Sequence, residues 1–149
     1  MIVILSETLR TEGALREFLG KNIVIWASQK QKLVTLSSCE AEYVTAASAA
    51  CQGIWLSRLI GDLLGTKEVQ VKLLMDNMSA IALSKNPMHH ERSKHIDMKY
   101  HFLRECIEEG TVNVDHVGTA EQLADIFTKA LGRVRFVELR KKLGVIDLV

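Results

Sequence analysis

Three acidic residues, Glu42, Asp76 and Asp125, lie in three separate segments of the chain, each near the point where a helix begins or a strand ends. Carboxylates that a fold can draw together from separate segments are what divalent-metal phosphodiester chemistry requires, because the acids hold the ions and a metal-bound water supplies the nucleophile. Two carboxylates held about 5 Å apart repel by roughly 3 kcal/mol at an effective dielectric of about 20, a cost that a bound cation relieves. Each acid alone also fits a helix cap or a solvated helix position. Spacing by itself does not make a site, so the elements that carry the acids decide the matter.

The chain has 149 residues, 48% hydrophobic and 25% charged, which suits one globular domain with a sizeable core. A formal net charge of +1 does not mark the whole protein as a nucleic-acid or membrane binder, so attraction to phosphate would have to come from local clustering. The apolar opening Met1-Ile2-Val3-Ile4-Leu5 has no preceding positive charge and runs straight into Ser6-Glu7. It fails as a signal peptide or membrane span and reads as a strand, and no membrane partner is expected. Cys39, Cys51 and Cys106 are odd in number and lack metal-type spacing, which points to reduced thiols and an intracellular protein, cytoplasmic or nuclear.

Asn22 to Ala27 is β-branched and aromatic and reads as a strand, and Leu33 to Leu36 as another short one. Ser37 with Glu40 makes a capping box, and Ala41, Val44, Ala47, Cys51, Ile54 and Trp55 recur at helical spacing, so a long helix runs from about Ser38 to about Leu64 and closes at Gly65. Val69 to Met75 is a strand ending at Asp76-Asn77, a pair suited to cap a helix from Ser79 to about Lys85. Asn86-Pro87 stops that helix, and an amphipathic helix follows from about His95 to Glu109, closed by Gly110. Val112 to His116 is a short strand. Thr119 with Gln122 then caps a helix ending near Leu131-Gly132 that carries Asp125 about two turns in, and a basic helix from Val134 to Leu143 completes the chain. This order predicts a mixed sheet covered by helices, an α/β fold whose strand ends bring the acids to one edge.

At this point five blocks carry a resemblance: Trp26-Ala27-Ser28-Gln29-Lys30-Gln31; Leu36-Ser37-Ser38-Cys39-Glu40-Ala41-Glu42-Tyr43; Asp76-Asn77 with Ser79-Ala80-Ile81; Glu91-Arg92-Ser93-Lys94-His95-Ile96-Asp97 with Tyr100-His101-Phe102; and Gln122-Leu123-Ala124-Asp125-Ile126-Phe127-Thr128-Lys129. In order and spacing, from about Phe18 to the C-terminus, the chain resembles the ribonuclease H domain of copia-type (LTR) retrotransposon Pol polyproteins. The resemblance implies a single ribonuclease H-like domain over residues 1–149, family-like over 18–149 and divergent over 1–17. It also implies cleavage of RNA in RNA–DNA hybrids by two magnesium ions, with manganese as a substitute, beside a reverse transcriptase in the same polyprotein. Of the family's four metal-holding acids, the helical Glu carries over to Glu42, the strand-ending Asp to Asp76 and the late-helix Asp to Asp125. Glu40 rivals Glu42 but already has the capping role, and residues two apart on a helix face different ways.

The departure is at the front. Family members carry Ser-Asp-x-Asp-Trp on the first strand, whereas Met1 to Glu17 contain no Asp, and Arg10-Thr11-Glu12-Gly13 is a blurred remnant of the following turn. By resemblance the missing Asp is the ligand shared by both ions. Two divalent ions about 4 Å apart repel by on the order of 15 kcal/mol at an effective dielectric of about 20, so a shared carboxylate is hard to omit. The expectation is a fold with its first strand degenerate or missing, weakened magnesium binding and impaired hydrolysis, the alternative being a non-catalytic relic or nucleic-acid-binding module. Glu7 or Glu12 would replace the Asp only by chance placement.

His116, at the loop end of the last strand, matches the mobile histidine of the wider family that assists product release or proton transfer, and reads equally as a surface residue. His89, His90, His95 and His101 crowd one stretch, but lack the Cys partners or second ligand block of a zinc site. Lys30, Lys32, Asn77, Ser79, Arg92, Lys94 and His95 are the candidate nucleic-acid contacts, with Lys99 and Arg104 adding charge; such contacts to a sugar–phosphate backbone are independent of sequence and weakened by salt. Arg133, Arg135, Arg140, Lys141 and Lys142 read as the exposed face of a helix that buries Phe136, Val137, Leu139 and Leu143.

Overall fold

The computed structural model describes residues 2–8, 12–19, 22–30, 34–85, 94–118, 121, 123 and 125–145. Its elements are β1 (Ile2–Thr8), β2 (Glu12–Leu19), β3 (Asn22–Lys30), α1 (Ser38–Leu64), β4 (Val71–Met75), α2 (Met78–Lys85), α3 (Lys94–Glu108), β5 (Val112–His116), α4 (Asp125–Thr128) and α5 (Arg133–Lys142). The five strands form one mixed sheet in the order β3-β2-β1-β4-β5. β1, β2 and β3 run as an antiparallel meander, and β1, β4 and β5 are mutually parallel neighbours.

The first strand is therefore present. Ile2 through Thr8 pair residue by residue with Phe18 back to Glu12, and Ile2 to Ile4 pair with Lys72 to Leu74. β3 carries a bulge: the register steps from Glu17↔Ile25 to Phe18↔Ile23 and leaves Val24 as the extra residue.

The two faces of the sheet are covered by different helices. Val71, Leu73 and Met75 of β4, with Val112 and Val114 of β5, meet Tyr43, Ala46, Ala47, Ala49 and Ala50 of α1, Ala80 and Ile81 of α2, and Tyr100, Leu103 and Cys106 of α3. On the opposite face Leu74 and Ile23 pack with Ile126 of α4 and with Leu143 beyond α5. This alternation along β4 follows from the pleat, which sends successive side chains to opposite faces. The alanine-rich stretch of α1 lets that helix lie close to the strands, and Tyr43, fully buried, stacks on Tyr100 with ring centroids 4.3 Å apart while its hydroxyl donates to the Tyr100 carbonyl at 3.1 Å.

Helix α1 begins and ends as its sequence requires. Ser37 Oγ accepts from the Glu40 N–H at 3.1 Å, and the Glu40 carboxylate accepts from the Leu36 N–H at 2.6 Å. That reciprocal cap explains why the expected strand at Leu33–Leu36 is not found over Val34–Leu36: the Leu36 N–H is committed to the helix cap, and Val34 and Leu36 are exposed. At the other end Gly65 adopts φ 63° and returns its N–H to the Gly61 carbonyl, a left-handed cap that strains any residue with a Cβ. Among the described residues no helix is long and apolar enough to cross a membrane. Cys39, Cys51 and Cys106 are free thiols, Cys106 buried and Cys51 exposed.

Candidate acidic site

Because β1, β4 and β5 are parallel, their C-terminal ends lie at one edge of the sheet. There β4 stops at Met75, Asp76 follows in a bend, and Asn77 starts α2: its Oδ1 accepts from the N–H of Ser79 at 3.0 Å and of Ala80 at 3.3 Å, and its carbonyl accepts from Ile81 at 3.1 Å. Asn77 thus caps α2, the helix expected after Asp76-Asn77. Glu42 reaches the same turn from α1. It is 3% exposed, and its Oε1 accepts from the Asn77 N–H at 3.4 Å, a long contact that sets the carboxylate against the residue after Asp76. Glu40, its sequence rival, is used in the α1 cap.

On one side of Asp76, the register Met75↔His116 sets the end of β5 beside the end of β4, and the Val117 N–H donates to the Met75 carbonyl at 2.8 Å. His116 is exposed there. On the other side, carrying the β1–β4 register on from Ile4↔Leu74 through Leu5 and Met75 sets Ser6 beside Asp76. The observed pairing stops at Ile4↔Leu74, and the β1 residues running toward that end, Ile2 to Ser6, include no carboxylate. Glu7 takes the following register position, and neighbouring positions of a strand alternate between the faces of the sheet. Glu12 opens β2 opposite Thr8, at the same end of β1.

Asp125 is the first residue of α4, where the sequence suggested a position about two turns into a longer helix; the expected cap residues Thr119 and Gln122 lie outside the described residues. α4 packs against β1 and β2 on the face of the sheet opposite α1. Asp125 is 6% exposed, and its Oδ1 is 2.7 Å from the Lys129 ammonium, one helical turn on. The Lys129 N–H also donates to the Asp125 carbonyl at 2.9 Å. Acid and base four apart on a helix are the spacing of a side-chain ion pair, the one signal in the sequence that points to this partner.

The structure thus joins Glu42 to the Asp76–Asn77 turn and gives Asp125 a cationic neighbour of its own. Among the described residues no three His, Cys, Asp or Glu side chains form a group that could hold a metal ion. The described residues as arranged therefore offer no ready seat for two magnesium ions: they form no such group, and an ammonium sits on the Asp125 carboxylate.

Of the candidate nucleic-acid contacts, Lys30 ends β3, Lys94 and His95 open α3, Ser79 is exposed at the start of α2, and Asn77 has its side-chain oxygen committed to the α2 cap. Lys32 and Arg92 lie outside the described residues, as do His89 and His90. Lys99 donates to Ser48 Oγ at 3.1 Å, bridging α3 to α1, and burial holds its ammonium below the usual lysine range. Arg104 is partly buried beside Tyr43. On α5, Arg135 and Lys142 pair with Glu138 at 3.0 and 2.9 Å, while Leu139 and Leu143 are buried; Phe136, expected inside, is largely exposed.

No protein-family model matches the chain. Residues of the chain are 40% identical over 131 positions, 88% of its length, to the retrovirus-related Pol polyprotein from transposon RE2 of Arabidopsis thaliana. Identity is 41% over 131 residues to the corresponding polyprotein from transposon TNT 1-94 of Nicotiana tabacum, and 40% over 129 residues to that from transposon RE1 of Arabidopsis thaliana, covering 88% and 86% of the chain. The match takes in only 9%, 10% and 9% of those three proteins, which extend far beyond it. Most of this chain is thus similar to one segment, about a tenth in length, of retrovirus-related Pol polyproteins from plant transposons.

Proposed function

We propose that the chain is a ribonuclease H-like domain of retroelement origin. The reaction proper to it is metal-dependent hydrolysis of RNA in RNA–DNA hybrids, but here it keeps the fold and weak nucleic-acid affinity while hydrolysing poorly or not at all. The similarity to transposon Pol polyproteins supports the origin, and the ordered motif blocks support reading the segment as the ribonuclease H domain. Glu42, Asp76 and Asp125 are the acids of the site, with His116 at its rim; one magnesium or manganese ion at most is held, weakly. In the longer relatives the partner would be a reverse transcriptase in the same polyprotein.

The observation that carries the impaired reading is that β1, the parallel neighbour of β4, runs Ile2 to Ser6 without a carboxylate, Ser6 being the residue that the register, continued past Ile4↔Leu74, would set beside Asp76. A carboxylate there would lie next to Asp76 and serve both ions; a serine hydroxyl neither neutralises nor bridges them. The test is a cleavage assay on an RNA–DNA hybrid with magnesium or manganese, run on the unaltered chain, Glu42→Gln, Asp76→Asn and Ser6→Asp. The unaltered chain should stay at background, and Ser6→Asp should exceed it by at least about tenfold. Cleavage by the unaltered chain that both Glu42→Gln and Asp76→Asn abolish would overturn the proposal of impairment.

A further inference from the structure

We infer that Lys129 is a resident counter-ion for Asp125, placed where a divalent cation would otherwise sit, so that metal can reach this acid only when the ammonium leaves. The inference rests on reading Asp125 as a member of the acidic site. The geometry is built into one turn of chain: the Lys129 N–H closes on the Asp125 carbonyl at 2.9 Å, and the side chain returns along the same turn to place Nζ 2.7 Å from Oδ1. Acid before base at this spacing is the favourable order on a helix. The Asp125 side chain is 8% exposed and that of Lys129 34%, so the carboxylate is held inside while the base of the pair approaches from the solvent side.

A carboxylate withdrawn from water needs a positive partner, and Lys129 already supplies one. A divalent ion at contact distance from the same oxygen would lie within a few ångströms of the ammonium and be repelled by it. Lysine is a point charge on a flexible four-carbon stem, so the block is movable, unlike the loss of a ligand. The block lies in the Asp125–Lys129 ion pair itself and is separate from the residue types of β1.

The test is titration of the full chain with manganese, free ion being read by its paramagnetic resonance signal, with thermal melts to compare folding. Lys129→Met should bind manganese at least about tenfold more tightly than the unaltered chain. Lys129→Gln, which keeps a hydrogen-bonding group without the charge, should show the same gain and serves if the methionine variant does not fold. Lys129→Arg should match the unaltered chain, and adding Asp125→Asn to Lys129→Met should erase the gain. Equal manganese affinity in the unaltered chain, Lys129→Met and Lys129→Gln, or a gain that survives Asp125→Asn, would overturn the inference. Hybrid affinity measured by gel shift in a chelator reads the retroelement function separately. Its absence with the manganese gain intact sinks that function and leaves the counter-ion, while the reverse sinks the counter-ion alone.

Discussion

The main-chain N–H of Asn77 donates to the buried carboxylate of Glu42 at 3.4 Å, tying the start of α1 to the end of β4 at the residue after Asp76. Glu42 is therefore a structural acceptor as well as a candidate ligand, and its substitutions separate the two roles. Glu42→Ala removes the acceptor from a part-buried donor and should cost about 1–3 kcal/mol in urea unfolding. Glu42→Gln keeps an acceptor and should cost less than about 1 kcal/mol. Equal losses would show that the contact with Asn77 contributes nothing.

Tyr43 makes stability depend on alkaline pH. Burial pushes its phenol up from 10.0 to about 12, opposed by the nearby Arg104 guanidinium. The folded state thus favours the neutral phenol, so its contribution is fully present below the unfolded value and is lost as pH rises through the window from 10.0 to about 12. Tyr43→Phe should cost about 1 kcal/mol near neutrality, through the lost bond to the Tyr100 carbonyl, and should show a shallower fall in stability across that alkaline window. Denaturant melts of both proteins at several pH values decide it; parallel pH curves would contradict the assignment.

Strand β4 is flanked by β1 on one side and β5 on the other, so its amides are held within the sheet. Amide exchange should be strongly protected at Leu73 and Met75, whose side chains are fully buried. Fast exchange throughout Val71 to Met75 would mean that β1 does not occupy the centre of the sheet in solution.

Gly65 closes α1 at φ 63°, with nothing within 4 Å of the place a Cβ would take. The penalty of Gly65→Ala is then conformational alone, about 1–2 kcal/mol in a chemical melt. A neutral substitution would show that the helix can end elsewhere.

The long helix and its two ends were legible because Ser37, Glu40 and Gly65 act through neighbours a few residues away. β4, β5 and the Asn77 cap were legible for the same reason, each being an apolar run or a cap bounded by its own turn. β2 was not, because Arg16-Glu17 interrupts its apolar alternation; the available signal was the two residues, Gly20 and Lys21, that separate Leu19 from Asn22, a hairpin spacing. Leu33–Leu36 misled because its β-branched content resembles a strand, whereas the Leu36 N–H serves the cap. At the site, the absence of an Asp from the first strand was visible in the sequence. That β1 pairs in parallel with β4, from Ile2↔Lys72 to Ile4↔Leu74, was not, since register between strands so distant in sequence is set by tertiary pairing. The Asp125–Lys129 pair could have been read from spacing alone, but its burial could not.

The central place of β1 also bears on how the chain assembles. The meander β1-β2-β3 joins neighbours in sequence, whereas β1 meets β4 only through pairs such as Ile2↔Lys72, with the whole of α1 between them. Closing so long a loop costs entropy before its contacts repay it, and topologies dominated by such pairings fold slowly. Docking of β1 against β4 is then the step expected to limit folding, and a chevron analysis should show that destabilising β1 slows folding more than it speeds unfolding.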